Sequence, residues 1–199
     1  MENHQTQENN HPLNDPWLSQ ARPDAQGRVL WLTGLSGAGK TSVANALTRT
    51  LAERRISSTV LDGDLIRARL NRDLGFSAAD RTENIRRIAE VARLMANAGL
   101  VVVVATISPF ARDRQLAKAL IHPCRFHEIY INTPLSVCEQ RDVKGLYARA
   151  RGGEIAHFTG IDSPYEPPAA PDLTVDCGDL PIMQAVQVLI DFLLLPDVG

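Results

Sequence analysis

The chain has 199 residues and a formal net charge of −2, with 44% hydrophobic and 22% charged residues. This length predicts one domain with a sizeable core, and the charge argues against nucleic-acid or membrane partners. The cysteines Cys124, Cys138 and Cys177 form no Cys-x-x-Cys pair, which argues against a disulfide framework or a zinc site and favours the reducing cytoplasm. Residues 1–10 lack an apolar signal region, and the apolar run at 100–105 is too short to cross a bilayer.

In chain order, residues 1–25 come first; they are rich in Asn, Gln, His and Pro without periodicity and are predicted to be a flexible tail. Strand-like and helix-like patterns then alternate over residues 26–199. The predicted strands are 28–33, 58–62, 100–106, 126–131 and 172–175. The predicted helices are 40–54, 64–71, 78–98, 110–120, 134–142 and 180–195. This order predicts a three-layer α/β domain, with a mostly parallel five-stranded sheet and helices on both faces.

A glycine-rich loop follows the first predicted strand and fits the P-loop pattern G-x-x-x-x-G-K-[ST]. Its residues are Gly34, Leu35, Ser36, Gly37, Ala38, Gly39, Lys40 and Thr41. Such loops turn backbone N–H groups around a phosphate chain at a helix N-terminus, so the loop predicts ATP binding within a P-loop NTPase fold. Lys40 would reach the β- and γ-phosphates, and the Thr41 hydroxyl would bind Mg²⁺. The alternative is a glycine-rich turn that happens to precede a lysine.

Two acids, Asp62 and Asp64, flank a glycine where the second predicted strand ends. The carboxyl ends of strands are where open α/β sheets bind ligands, so one acid can organise Mg²⁺ and the other can accept a proton from an attacking hydroxyl. An Asx turn that merely ends the strand is an equally good reading of these two residues alone. The chain has no Asn-Lys-x-Asp motif for guanine, and the strand before residues 106–108 lacks the aspartate of motor ATPases. A kinase is therefore favoured over a GTPase or a motor.

Arginines and two phenylalanines surround these acids in sequence. Arg67 lies one turn after Asp64, and Arg81 lies in the first turn of the long predicted helix, where anions bind well. Phe76 and Phe158 are candidates to stack on a planar base, although core packing is the ordinary role of each ring taken singly. Residues 144–171, here called the lid segment, are rich in glycine, proline and basic residues. A long irregular segment of this kind is predicted to close over phosphates and exclude water.

With these residues in place, the chain resembles the adenylylsulfate kinase (APS kinase) family over about residues 27–178. The matching strings are Gly34-Leu-Ser-Gly-Ala-Gly-Lys-Thr41, Leu61-Asp-Gly-Asp64 with Arg67, Asn71-Arg-Asp-Leu-Gly-Phe-Ser77, Asp80-Arg81, Glu83-Asn-Ile-Arg-Arg87, Ile107-Ser-Pro109, Cys138-Glu-Gln-Arg-Asp142, Lys144-Gly-Leu-Tyr147 and Phe158-Thr-Gly-Ile-Asp-Ser-Pro-Tyr-Glu166. The resemblance implies transfer of the ATP γ-phosphoryl group to the 3′-hydroxyl of adenosine 5′-phosphosulfate, which gives 3′-phosphoadenosine 5′-phosphosulfate (PAPS) and ADP in sulfate assimilation. It also implies a homodimer.

The resemblance further implies roles for individual residues. Asp64 and Asp62 would orient the hydroxyl and the metal, while Lys40 and Lys144 would neutralise charge on the transferred group. The acceptor would be bound by Arg67, Phe76, Arg81, Asn84, Ile107, Ser108, Lys144, Leu146 and Phe158. In similar enzymes the serine that matches Ser108 is regarded as a phosphorylated intermediate, which makes Ser108 a candidate catalytic residue. Direct in-line attack needs no covalent step, and Ser108 would then line the acceptor pocket.

The chain departs from the family pattern at a few positions. Leu65 stands where the family usually has an Asn after Asp-Gly-Asp. Ala111 stands where an Arg or Lys commonly follows the Ser-Pro-aromatic sequence. Neither replaces a residue assigned to phosphate chemistry, so activity is expected to survive. Two rival functions remain: another small-molecule P-loop kinase, and a catalytically silent nucleotide-binding regulatory subunit.

Overall fold

The computed structural model describes residues 27–194, so the predicted tail at 1–25 and residues 195–199 lie outside it. Five strands form one sheet in which every neighbouring pair is parallel. In chain order they are β1 (Arg28–Thr33), β2 (Ser58–Asp62), β3 (Val101–Ala105), β4 (Arg125–Asn132) and β5 (Leu173–Asp176). Their order across the sheet is β2-β3-β1-β4-β5. The predicted five-stranded parallel sheet is confirmed.

The helices connect these strands. They are α1 (Lys40–Glu53), α2 (Gly63–Ala68), α3 (Ala78–Asn97), α4 (Ala111–Ile121), α5 (Leu135–Arg141), α6 (Leu146–Arg151) and α7 (Ile182–Leu194). Each predicted helix is present, and its ends lie within one turn of the predicted ends. The short helix α6 was not predicted, because a Gly precedes it and two glycines follow its last residue. Among residues 27–194 no helix combines the length and the apolar character needed to span a membrane.

The core lies on both faces of the sheet, and β1 shows how. Leu30 and Leu32 belong to a buried cluster shared with α1 and α7, whereas Val29 and Trp31 belong to one shared with α3 and α4. Alternate residues of a strand point to opposite faces, so a strand covered on both faces must be apolar throughout. This explains the unbroken apolar sequences of β1 and β3, and it fixes the three-layer architecture.

The parallel arrangement brings the loops after the strands to one edge of the sheet. The P-loop follows β1, Asp62 ends β2 and Ser108 follows β3. The chain also changes direction across the sheet at β1, which has β3 on one side and β4 on the other. Ligands of open α/β sheets bind at such a switch point, beyond the carboxyl ends of the strands.

Candidate active site

The P-loop between β1 and α1 is shaped by close backbone packing. Gly34 has a φ of 152°, and a Cβ there would lie 2.5 Å from the carbonyl oxygen of Ile131 in β4. Gly37 has a φ of 74°, and its Cβ would lie 3.1 Å from the carbonyl oxygen of Cys138 in α5. A side chain at either position would push the loop away from β4 or α5. The loop leads directly into α1, whose N-terminus favours an anion.

Lys40 begins α1 and folds back over the loop. Its Nζ donates to the carbonyl oxygens of Gly34 at 2.9 Å and Leu35 at 2.6 Å. Burial lowers the pKa of Lys40 from 10.5 to about 8, and the charges of Asp64 and Asp62 offset part of that shift. The ammonium of Lys40 therefore lies within electrostatic reach of the acids at the end of β2.

Asp62 serves two purposes with its two carboxylate oxygens. Oδ2 accepts a hydrogen bond from Thr41 Oγ1 at 2.7 Å. Oδ1 caps α2 by accepting from the N–H groups of Asp64 at 2.9 Å and Leu65 at 3.1 Å. The turn that ends β2 thus holds Asp62 in place, and one of its oxygens stays beside the hydroxyl of the P-loop threonine. The pair offers two oxygen ligands of the kind that Mg²⁺ prefers.

Asp64 points away from that turn and forms an ion pair with Lys144 at the start of the lid segment. Both side chains are exposed, at 72% for Asp64 and 57% for Lys144. An exposed pair contributes little to stability. The contact instead brings a potential proton acceptor and a cation together, next to Lys40 and Asp62.

Arg67 and Phe76 form the outer wall beside these acids. The Arg67 guanidinium lies 4.8 Å from the centre of the Phe76 ring, and Arg67 Nη1 donates to the carbonyl oxygen of Gly75 at 2.6 Å. Phe76 itself is 63% exposed. Its ring is therefore accessible for stacking and does not belong to the core, whereas Phe158 is half-buried against the core.

Arg81 connects this wall to the lid segment through three donors. Nε donates to the carbonyl oxygen of Phe76 at 3.1 Å, Nη1 to Thr159 Oγ1 at 2.8 Å and Nη2 to the carbonyl oxygen of His157 at 2.5 Å. Phe158 lies between the two lid residues that Arg81 contacts. The Arg81 side chain therefore holds the backbone at Phe76 and the backbone on either side of Phe158 at a fixed separation.

Asn84 lies one turn further along α3 and is only 4% exposed. Its Oδ1 accepts from Asn71 Nδ2 at 3.0 Å. The hydrogen bond joins the loop before α3 to the helix itself, so Asn84 has a structural partner in addition to its predicted role toward the acceptor. Ile107 and Leu146, also predicted to contact the acceptor, are both half-buried.

Ser108 lies in a tight turn after β3. It has a φ of 40°, is 1% exposed, and its Oγ accepts from Trp31 Nε1 at 3.1 Å. Its carbonyl oxygen accepts from Arg114 Nη1 at 2.9 Å, while Thr33 Oγ1 donates to the carbonyl oxygen of Ile107 at 2.7 Å. The turn is thus fixed from both neighbouring elements, and its serine hydroxyl faces the core.

The lid segment is attached to the sheet edge at its later residues as well. The Tyr165 hydroxyl lies 3.0 Å from Thr33 Oγ1. Glu166 Oε2 accepts from the N–H of Ala111 at 2.7 Å and so caps α4, whose own N-cap residue supplies no side-chain bond. Tyr165 and Glu166 occur in a string that carried the family resemblance, but sequence reasoning gave them no role because their partners are distant in the chain.

An open cavity of about 620 Å³ lies beside the lid segment. It is lined by residues 160–165, Pro167, the end of β4 and the start of α5, with Leu35 from the P-loop. Lys40, Asp62, Asp64 and Lys144 do not line it. Their convergence at one sheet edge therefore identifies the centre of the candidate site better than the volume of this cavity does.

The sheet order, the loop after β1 and the acids at the end of β2 together define a P-loop kinase. The shikimate kinase of Acinetobacter baumannii has this fold, with a TM-score of 0.53 at 18% identity over 88% of this chain and 97% of that one. At that identity the likeness concerns the fold alone.

Residues 26–176 match the family described as Adenylylsulphate kinase, and the chain belongs to that family. It is 55% identical over 176 residues to the adenylyl-sulfate kinase of Pseudomonas aeruginosa, which covers 88% of each chain. It is 52% identical over 173 residues to that of Bacillus pumilus, or 87% of this chain and 88% of that one. The APS kinase of Mycobacterium tuberculosis, solved in complex with AMPPNP and APS, superposes with a TM-score of 0.83 at 52% identity over 84% of this chain and 98% of that one. The chain is therefore an enzyme, a kinase that binds ATP.

Proposed function

We propose that this enzyme transfers the γ-phosphoryl group of ATP to the 3′-hydroxyl of adenosine 5′-phosphosulfate and releases ADP and PAPS, a step of sulfate assimilation. The observation that carries the proposal is the meeting of Asp64 and Lys144 beside Lys40, Thr41 and Asp62. A proton acceptor and two cations lie next to a P-loop, and phosphoryl transfer depends on that kind of positioning and charge neutralisation. The similarity to an enzyme solved with AMPPNP and APS supports the choice of acceptor.

Mg²⁺ fits the pair formed by Thr41 at the start of α1 and Asp62 at the end of β2. Thr41 Oγ1 and Asp62 Oδ2 lie 2.7 Å apart, and both are oxygen donors. A bound Mg²⁺ would supply neutralisation of the phosphate oxygens. Since Asp62 is fixed by its bonds to the α2 backbone, this side of the site needs little rearrangement to bind the metal.

In the proposed reaction Asp64 orients the acceptor hydroxyl and takes its proton. Lys144 and Lys40 neutralise the negative charge that builds up on the transferred group. Asp64 and Lys144 come from opposite sides of the site, one from α2 and the other from the lid segment. Their contact therefore completes the site only when the lid segment is in place.

The acceptor would lie between Phe76 and Phe158, with its adenine stacked on their rings. Arg67, Arg81 and Asn84 lie on the same side as Phe76 and would contact the ribose and phosphosulfate, with Ile107, Ser108 and Leu146 completing the wall. We place Ser108 as a wall residue and not as a phosphoryl carrier, because its Oγ is buried and accepts the Trp31 hydrogen bond.

We further propose a cytoplasmic homodimer with a kinase domain over 26–199 and a closing lid segment. The reduced cysteines of residues 27–194 agree with the cytoplasm. The APS kinase of Thiobacillus denitrificans, 33% identical over 85% of this chain and 29% of that one, is hexameric.

The test is ADP formation by purified protein with Mg-ATP and adenosine 5′-phosphosulfate, with AMP and gluconate as parallel acceptors. Turnover with the phosphosulfate alone is expected. Turnover with another acceptor would agree with a kinase but contradict adenosine 5′-phosphosulfate as its substrate. Nucleotide binding without turnover of any acceptor would favour the regulatory subunit.

A further inference from the structure

Tyr147, in the first turn of α6, contacts both the P-loop, which would bind the nucleotide, and Phe158, which would bind the acceptor. Its hydroxyl donates to the carbonyl oxygen of Ser36 in the P-loop at 2.9 Å. Its ring meets that of Phe158 edge-on, with the centroids 5.0 Å apart and the planes at 80°. Tyr147 is 3% exposed, and its two partners, Ser36 and Phe158, are half-buried. One rigid side chain therefore spans from the phosphate-binding loop to the aromatic residue of the lid segment.

The hydroxyl of Tyr147 is a donor under all ordinary conditions. Burial raises the pKa of Tyr147 above its usual value, and the nearby Cys138 and Glu139 raise it further. Its hydrogen-bond partner is the backbone carbonyl of Ser36, which is present whatever side chain stands at that position. Loss of this partly buried bond is costly, because the carbonyl oxygen of Ser36 would be left without its tyrosine donor.

The position of Tyr147 is fixed by the start of α6. The carboxylate of Asp142 accepts from the N–H groups of Tyr147 and Ala148, both at 3.0 Å. Lys144 lies inside the turn that these bonds close and forms its ion pair with Asp64. The same turn thus positions Lys144 for the reaction and Tyr147 against the P-loop.

We propose that Tyr147 is a positioning residue that couples nucleotide binding at the P-loop to acceptor binding beneath the lid segment. Phosphates that settle the P-loop backbone fix the carbonyl of Ser36. Tyr147 then holds α6 and Phe158 in the arrangement that the acceptor requires. Because coupling between two sites is reciprocal, the acceptor must strengthen nucleotide binding by the same factor. The inference rests on the proposed function, since it assumes that adenosine 5′-phosphosulfate is the acceptor.

The test is a thermodynamic cycle measured by calorimetry. The dissociation constant of adenosine 5′-phosphosulfate is determined with and without saturating Mg-AMPPNP, and the ratio of the two values is the coupling factor. Tyr147→Phe keeps the ring and removes only the hydroxyl. It should lower the factor about three- to tenfold, the usual worth of one such hydrogen bond, while the affinity for acceptor alone changes little.

Tyr165→Phe is the matched control. It removes a tyrosine hydroxyl from the same lid segment, but that hydroxyl lies against Thr33 in β1 and not against the P-loop. We expect this variant to keep the coupling factor of the wild type. Asp142→Asn is a second test variant, which weakens the cap of α6 and should lower the factor in the same direction without changing the tyrosine.

Hydrogen exchange distinguishes coupling from a purely structural role of Tyr147. Addition of the acceptor should slow exchange in residues 34–41 of the wild type and slow it less in Tyr147→Phe. An equal coupling factor in wild type and Tyr147→Phe, or a factor of one in the wild type, would overturn the role of Tyr147 alone. A wild type that binds no adenosine 5′-phosphosulfate would overturn the proposed function and the coupling together.

Discussion

The nucleotide half and the acceptor half of the site are held by different means. In the nucleotide half, Gly34 packs against β4, and Lys40 and Asp62 are each 8% exposed. In the acceptor half, Phe76 is 63% exposed and the Asp64 side chain is 72% exposed. The first half is built from backbone contacts next to the core strands, and the second from side-chain contacts between distant segments. The fold therefore preforms the nucleotide site, whereas the acceptor site depends on the docking of the lid segment.

The largest effect is expected at Asp64, which lies where the two halves meet. Asp64→Asn keeps the size of the side chain but can neither take the acceptor proton nor pair with Lys144. We expect kcat to fall by about 10²- to 10⁴-fold, with the dissociation constant of ATP nearly unchanged. Steady-state ADP formation and nucleotide titration measure the two quantities.

Asp191→Asn serves as the control, because Asp191 is an exposed carboxylate on α7 that accepts a bond from Gln187. It should leave kcat unaltered. If Asp64→Asn were fully active, Asp64 would not be the proton acceptor. The rate would then depend on positioning and charge neutralisation by Lys40 and Lys144.

A smaller effect, confined to the acceptor half, is expected at Arg81. Arg81→Lys retains the charge but cannot reproduce three hydrogen bonds to Phe76, His157 and Thr159. We expect the KM for adenosine 5′-phosphosulfate to rise about 10- to 100-fold, because hydrogen bonds to a charged group are strong. The KM for ATP should rise far less, because Arg81 contacts Phe76 and the lid segment but not the P-loop, and only the coupling through Tyr147 would reach the nucleotide half.

Arg93→Lys is the matched control on the same helix, since Arg93 pairs with Glu90 away from the lid segment. It should change neither constant. An equal rise of both KM values in Arg81→Lys would show that docking of the lid segment shapes the nucleotide half as strongly as the acceptor half, which contradicts the comparison.

The nucleotide half offers a pH test through Lys40. Its pKa is lowered to about 8 in the free protein by burial, and bound phosphates must raise it again. Nucleotide binding is therefore strongest below this pKa and weakens as the pH rises through it, because binding then requires uptake of a proton. The affinity for Mg-ADP should fall about tenfold between about pH 7 and about pH 9.

Lys40→Arg removes the titration, since guanidinium stays charged over this range. Any residual affinity of that variant should be independent of pH. A wild-type affinity that is flat over the same range would show that Lys40 keeps its proton without the nucleotide and that its burial costs less than the structure indicates.

The same division decides what the sequence could predict. The P-loop, the strands and the cap of α3 at Ser77, whose Oγ accepts from the N–H of Asp80, follow from patterns within a few residues. The contacts Tyr147–Ser36 and Glu166–Ala111 join residues far apart in sequence. No periodicity or spacing reveals such pairs. Tyr147 and Glu166 entered the sequence analysis only as parts of the family strings, so the means by which the lid segment docks had to come from the structure.

Short elements show the same limit. The helix α6 has six residues, too few for a hydrophobic period, and depends on a cap from Asp142 that precedes it by several positions. The stacking role of Phe76 and Phe158 stays a prediction, and only the structure shows that Arg81 contacts the segments that carry both.

The smallest effect on activity is expected at Ser108, although it lies at the edge of the acceptor half. Its Oγ is buried and accepts from Trp31, so the turn behaves like the nucleotide half and belongs to the preformed part of the site. Ser108→Ala should change kcat by about threefold or less. It should lower the free energy of unfolding by about 1–3 kcal/mol, because the Trp31 N–H loses its partner in the core.

Denaturant unfolding and steady-state kinetics on the same preparation separate the two effects. Thr48→Ala, which removes a partly exposed hydroxyl of α1 that bonds to its own helix backbone, is the control for loss of a hydroxyl. A loss of kcat comparable to that of Asp64→Asn, with unchanged stability, would make Ser108 a phosphoryl carrier and require the turn to open during the reaction. Retained kcat with lowered stability would place the whole of the chemistry between Asp64, Lys144 and the P-loop, and would leave Ser108 as the residue that supports the wall of the acceptor pocket.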